Sequence, residues 1–384
     1  MPSLLSDTAV SKAPADTTPP AAINKKMRIV LCFCSQTINS RYRTHYIKDQ
    51  RLTRFIERQR NQSTWQLLVA SDISVRYIAM IKAIMDVDTG IDDAIALMMA
   101  LQSPKIEIVG ITTVSGNVSA RIAGLNTLGI LNIMGKQLEI PVMQGATRPL
   151  SKKKIVHAEE VHGKKGLANI NLEYNQALLR KGKISHFIST ILANYRKKEV
   201  SLVATGPLTN IAKAIIEEPG IIDSLSRICI MGGAYGLASK VYGNITQYAE
   251  FNFYCDPKAA QIVLCSSQAR LKVVGLDATD RYLIVDNKFI ARLDQRKCKA
   301  AKIAKSLLQY PLARFGRFNL PDVFAVGMLE RPSLFKFKRG QVVIMQDEEL
   351  RGHSKFRGVK KNGNVFVVEK VDQNGFNDYV FSRL

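Results

Sequence analysis

The stretch Ile84 to Ala94, read IMDVDTGIDDA, crowds Asp86, Asp88, Asp92 and Asp93 between two apolar runs. Ile81, Ala83, Ile84 and Met85 predict a short buried strand, Gly90 a sharp turn, and Ile95, Leu97, Met98, Met99 and Leu101 a largely apolar helix. Charge this dense at a strand-to-helix junction restricts the chain to folds in which strands end at a cleft. The carboxyl edge of an open α/β sheet is such a place, and ligands bind there. One aspartate is accounted for as a cap of the following helix, because Asp is a preferred N-cap and first-turn residue. Four are not. Like charges this close repel unless one is protonated or a cation lies between them, and clustered carboxylates suit hard ions such as Ca²⁺ or Mg²⁺. The stretch therefore reads as a metal site, with Asp86, on the strand itself, orienting its neighbours.

From Met80 onward strands and helices alternate. Strands are predicted at 106–113, 140–144, 200–205, 227–231 and 272–276, the last closing the parallel series, and helices at 122–134, 184–197, 208–217 and 257–265. A helix-rich segment at 287–335 follows, then strands at 341–345 and 365–370 and a helix at 377–383. The fold class is α/β, an open, mostly parallel twisted sheet flanked by helices. Residues 1–79 differ in composition. Ser6 to Pro20 reads as disordered, and the basic, acid-poor segment Lys25 to Arg60 faintly resembles an organelle transit peptide without a clean cleavage pattern. The expected organisation is an N-terminal extension over 1–79, either targeting or belonging to a misassigned start before Met80, and a catalytic domain over 80–384.

Hydrophobic residues make up 46% of the 384, with no apolar run long enough to span a membrane. The six cysteines lack metal-ligand or disulfide spacing, so a reducing cytoplasm is the plain reading. A formal charge of +23 raises nucleic acid as a partner. The basic residues are scattered without an aromatic stacking platform, and nucleic acid is the lesser reading.

DVDTGIDDA, ITTVSGN, HGKKGL, ATGPLTNIA, MGGAYG, AEFNFYCDPKAA, VGLDAT and the later LPDVFAV resemble, in the same order, motifs of the inosine-uridine preferring nucleoside hydrolases. They span nearly all of Met80 to Val326. The resemblance implies a homodimeric or homotetrameric Ca²⁺ enzyme that hydrolyses the N-glycosidic bond of purine or pyrimidine ribonucleosides to free base and ribose. Carried over position by position, it makes Asp88, Asp93, the Thr205 carbonyl and Asp322 the metal ligands. Asp88 is also the general base on a metal-bound water, working through an oxocarbenium-like transition state. Asp92, Asn117, Asn244, Glu250 and Asn252 grip ribose hydroxyls, and His162 lies on a loop covering the base. Taken singly, Asn117 and Asn244 read as turn residues and Glu250 and Asn252 as polar loop residues; their joint register decides for the site.

One departure stands out. Many relatives carry a histidine just before the last calcium aspartate, where it protonates the leaving base, and this chain has Pro321. His162, Tyr310 and Tyr235 are the substitutes the sequence suggests, with Phe315, Phe318 or Tyr242 stacking on the base. The alternative is a catalytically weakened nucleoside- or ribose-binding homologue. An Asp86–Asp88 phosphatase motif is a remote third reading, since Gly90 stands where that motif wants Thr or Val.

Overall fold

The computed structural model describes residues 80–151, 157–168, 170–237, 243–266, 271–359 and 363–384. The expectations for residues 1–79 and for Tyr242 lie outside the described residues. Strand β1 (Ile81–Val87) leads into helix α1 (Ile91–Gln102), followed by β2 (Ile106–Thr113), α2 (Ala120–Ile133), β3 (Val142–Gln144), α3 (Glu159–His162) and β4 (Leu179–Lys181). Next come α4 (Ile184–Leu192), β5 (Val200–Ala204), α5 (Thr209–Glu217), β6 (Ile228–Met231), α6 (Phe251–Cys255), α7 (Pro257–Cys265) and β7 (Leu271–Val274). The remainder is α8 (Leu276–Tyr282), β8 (Ile284–Val285), α9 (Asn287–Asp294), α10 (Lys299–Phe315), β9 (Phe318–Asn319), α11 (Asp322–Glu330), β10 (Phe335–Ile344), β11 (Ser354–Gly358), β12 (Val365–Val371) and α12 (Gln373–Arg383).

Ten strands form one sheet in the order β11-β10-β12-β7-β6-β5-β1-β2-β3-β4. Every pairing from β12 to β4 is parallel, and the two pairings that β10 makes, with β11 and β12, are antiparallel. The expected open, mostly parallel α/β sheet is therefore what the chain builds, with two corrections. The strand at 271–274 does not close the parallel series, because β12 pairs with it in parallel from the far end of the chain. The 184–197 helix stops at Leu192, beyond which the apolar spacing ends. The order reverses between β1 and β5, which run side by side while their successors move outward in opposite directions. Such a switch point leaves a crevice at the strands' carboxyl ends.

Two helices bring the chemistry to that crevice. Ile91 through Ala100 of α1 are all buried, as is the whole of α11, and the two pack on each other. A helix apolar all round belongs in a core. Each nevertheless begins with carboxylates, Asp92 and Asp93 in the first turn of α1 and Asp322 in that of α11. A helix N-terminus carries partial positive charge and tolerates them. Phe376 on α12 fastens α11 from behind, stacked on Phe324 with centroids 4.3 Å apart and fully buried. Phe376→Ala is expected to cost about 3–5 kcal/mol of stability, read as a lowered urea midpoint; an unchanged midpoint would remove α12 from the support of the site.

Candidate active site

Asp86 is the end of β1 and works on its neighbours. Its Oδ1 accepts from Thr112 Oγ1 at 2.6 Å and Asn210 Nδ2 at 2.7 Å, tying β1 to β2 and α5. Asn210 extends the brace, donating to the Thr113 carbonyl and accepting from the Ala146 amide. Two residues on, Asp88 enters the crevice. Its Oδ2 accepts the Asn117 amide N–H at 2.6 Å, while its Oδ1 is buried with no partner among the described residues. Asp93 is the best satisfied of the four: Oδ2 accepts from the Gly90 amide and Asn117 Nδ2, and Oδ1 from Thr205 Oγ1 at 2.7 Å.

Two glycines make this packing possible through space alone. A Cβ at Gly90 would sit 2.8 Å from both Asn117 Nδ2 and His162 Nδ1, and one at Gly116 would sit 2.0 Å from Asp88 Oδ2.

Carboxylate oxygens of Asp92, Asp93 and Asp322 come within 4.8 Å of one another, all three buried. Asp92 Oδ1 is buried with no hydrogen-bond partner among the described residues; His162 Nδ1 lies 3.9 Å from it. Burial first, and then the charge of Asp93, push Asp92 up to about 7. Burial and the neighbouring aspartates also raise Asp88 and Asp322 well above the usual carboxylate range. Asp86 is pushed up to about 7, chiefly by burial. Buried oxygens left without hydrogen-bond donors, in a set with no nitrogen or sulfur, fit a hard divalent cation and not zinc.

The carboxylate trio and the ligand set implied by resemblance overlap without coinciding. Asp93 and Asp322 are in both. Asp92, assigned to the ribose, stands with them in the closest trio, and Asp88 borders it through Asp93. The Thr205 carbonyl accepts from Asn252 Nδ2 at 2.7 Å.

Above the trio opens a cavity of about 900 Å³, of a size that takes small organic ligands. Asp92, Asn117, His162, Thr205, Asn244, Glu250, Asn252 and Asp322, all named from sequence, line it, together with Met231 at the end of β6. Glu250 caps α6, its carboxylate accepting the amides of Gly233, Asn252 and Phe253. Asn244 Oδ1 accepts the Phe251 amide at 2.8 Å. His162 is buried, and its Nδ1 accepts the Ile91 amide at 3.1 Å, which places its proton on Nε2. Burial lowers its pKa to about 4, so the ring is a neutral donor. Phe318 meets it edge-on at 6.4 Å, and Phe315 and Phe318 both face the cavity.

Of the suggested substitutes for the missing histidine, the two tyrosines fail. Tyr235 is buried outside the cavity with its hydroxyl donating to the Gly232 carbonyl, and Tyr310 packs on the core along α10. Pro321 lies at the start of α11, a place where a helix accepts proline. The sequence missed His157, Asp280 and Arg317, which also line the cavity; Asp280 accepts from Asn319 Nδ2 at 2.9 Å. Of these only Asp280 carried a signal, following directly on VGLDAT.

Residues 83–378 match the family described as inosine-uridine preferring nucleoside hydrolase. The chain belongs to that family. It is therefore an N-glycosyl hydrolase by descent. It is 33% identical over 319 residues to uridine nucleosidase 1 of Arabidopsis thaliana, covering 79% of this chain and 93% of the relative. It is 34% identical over 271 residues to a pyrimidine-specific ribonucleoside hydrolase of Escherichia coli, covering 68% and 82%. Among solved structures, a purine-preferring ribonucleoside hydrolase from Gardnerella vaginalis superposes with a TM-score of 0.71 at 27% identity, covering 79% of this chain and 97% of the other.

The raised carboxylates of this nucleoside hydrolase fix the sign of a pH effect. Between about pH 4 and 7 the folded chain without metal holds protons on Asp86 and Asp92 that the unfolded chain has lost. Their contribution to stability is therefore largest at the acid end of that window and declines as pH rises. A cation at the trio needs Asp92 ionised, so its binding releases protons and weakens as pH falls. Calorimetric titration with Ca²⁺ in buffers of different ionisation enthalpy is expected to show both; binding indifferent to pH between about 6 and 8 would contradict the cluster as its site.

Proposed function

We propose that the protein hydrolyses the N-glycosidic bond of purine and pyrimidine ribonucleosides, with Ca²⁺ at the aspartate cluster. The observation that carries this reading is the trio of buried carboxylates Asp92, Asp93 and Asp322, with oxygens of Asp92 and of the neighbouring Asp88 that have no hydrogen-bond partner among the described residues, at a cavity of about 900 Å³. When bound, Ca²⁺ supplies a Lewis acid that accepts oxygen ligands in flexible number, so it suits both a vicinal diol and a water.

The chain's own groups do the rest. Asp92, Asn117 and Asn252 receive the ribose hydroxyls as acceptors and amide donors, and Glu250 and Asn244 hold the far side of the sugar. Asp88, fixed through Oδ2 by the Asn117 amide, presents Oδ1 to the attacking water and takes its proton as the new C–O bond forms. The bond to the base then breaks with positive charge building on the ring, which the surrounding carboxylates stabilise. His162 offers its Nε2–H to the base as a hydrogen-bond donor. Phe315 and Phe318 line the cavity, and stacking on aromatic rings suits purines and pyrimidines alike, so both classes are proposed as substrates.

Reducing-sugar release from inosine, uridine and cytidine tests the reading. Release that stops with a chelator and returns with Ca²⁺ is expected; none from any ribonucleoside under excess Ca²⁺ would leave a binding protein. Asp88→Asn should lower kcat by about two to four orders of magnitude with an unchanged circular dichroism spectrum. A fully active variant would take the proton-accepting role from Asp88.

A further inference from the structure

Hydrolysis leaves the departing base one proton short, and Pro321 has none to give. We infer that His157 is the group that supplies it, an inference that rests on the hydrolase reading above.

His157 lines the same cavity as Asp92, Asn117, His162 and Phe318. Its Nδ1 lies 2.7 Å from the Gly116 carbonyl oxygen. A carbonyl only accepts, so this nitrogen carries a hydrogen, and the lone pair is on Nε2. The ring can take a second proton on Nε2 and release it again without disturbing the bond that orients it.

His162 is wired the opposite way. Its Nδ1 is occupied by the Ile91 N–H; a second proton there would break that bond, and loss of the Nε2 proton would leave an imidazolate. Arg317 is permanently charged and cannot release a proton. Burial raises the Asp280 carboxyl above the usual carboxylate range, but its Oδ1 is already engaged as an acceptor by Asn319 Nδ2 and Thr279 Oγ1. Glu159 and Glu160 line the cavity but have no side-chain hydrogen bond among the described residues to fix them.

The Gly116 carbonyl that holds His157 belongs to the same amide as the Asn117 N–H that holds Asp88 Oδ2 at 2.6 Å. In a trans peptide those two groups point in opposite directions. One rigid plane thus positions a proton acceptor at one end and a proton donor at the other.

The proton count closes. A water proton goes to Asp88 as the C1′–O bond forms, the electron pair of the C1′–N bond leaves with the base, and the Nε2 proton of the imidazolium goes to that base. Solvent then removes the proton on Asp88 and recharges His157.

The test compares two leaving groups in the native chain, His157→Ala and His157→Asn. The asparagine amide can still donate to the Gly116 carbonyl but has no proton to transfer. Both variants are expected to lose about a hundredfold to ten-thousandfold in kcat on inosine and uridine while keeping native turnover of 4-nitrophenyl riboside, whose phenolate leaves unprotonated. Added imidazole should restore part of the nucleoside activity of His157→Ala. Native rates on nucleosides in both variants, or an equal loss on both kinds of substrate, would overturn the role. A native chain that releases sugar from neither substrate would instead overturn the hydrolase reading on which the inference rests.

Discussion

Holding several carboxylates together out of water is the constraint on which the rest of the structure depends. Asp86, Asp88, Asp92, Asp93 and Asp322 are all buried, and their mutual repulsion would expel them from an ordinary core. The fold answers it with fixed dipoles. Two helices aim their N-terminal ends at the cluster, the Gly90 and Asn117 amides and the Thr205 and Asn117 side chains donate to it, and what remains unsatisfied is matched to a cation. The deep apolar packing of α1 and α11 follows from this, because only helices locked on every side can hold their first turns so close together. The Asp86–Asn210 brace has the same purpose one layer down.

Much of this was legible in the chain itself. The aspartate run, the alternation of strands with amphipathic helices and the ordered motifs were sufficient for the sheet, its crevice and about half of the residues that line the cavity. What escaped is physically of one kind. Leu179–Lys181 and Ser354–Gly358 are short edge strands with little apolar pattern, and they exist because a neighbour's backbone offers hydrogen bonds. The parallel pairing of β12 with β7 is a long-range partnership that no local periodicity records.

At the site, residue types could be read but their wiring could not. His157 and His162 look alike in sequence, and their opposite tautomers come from one carbonyl and one amide contributed by distant segments. Asp92, and not Asp88, stands in the closest carboxylate trio with Asp93 and Asp322, because side-chain direction at a helix start depends on the entry angle of the chain. Pro321 is conspicuous as a lost acid in the sequence and unremarkable in the fold, where it starts a helix.

The insertion of β12 between β7 and β10 has a consequence for how the molecule is made. The parallel half of the sheet keeps a bare edge at β7 until the last part of the chain has been synthesised, and α11, which carries Asp322, lacks its Phe376 support until the same moment. A nascent chain holding every residue named for the cavity therefore still has an open sheet edge and a loosely seated Asp322. The active centre matures with the final strand, and a chain shortened at its C-terminus would retain the chemistry in its sequence without the means to assemble it.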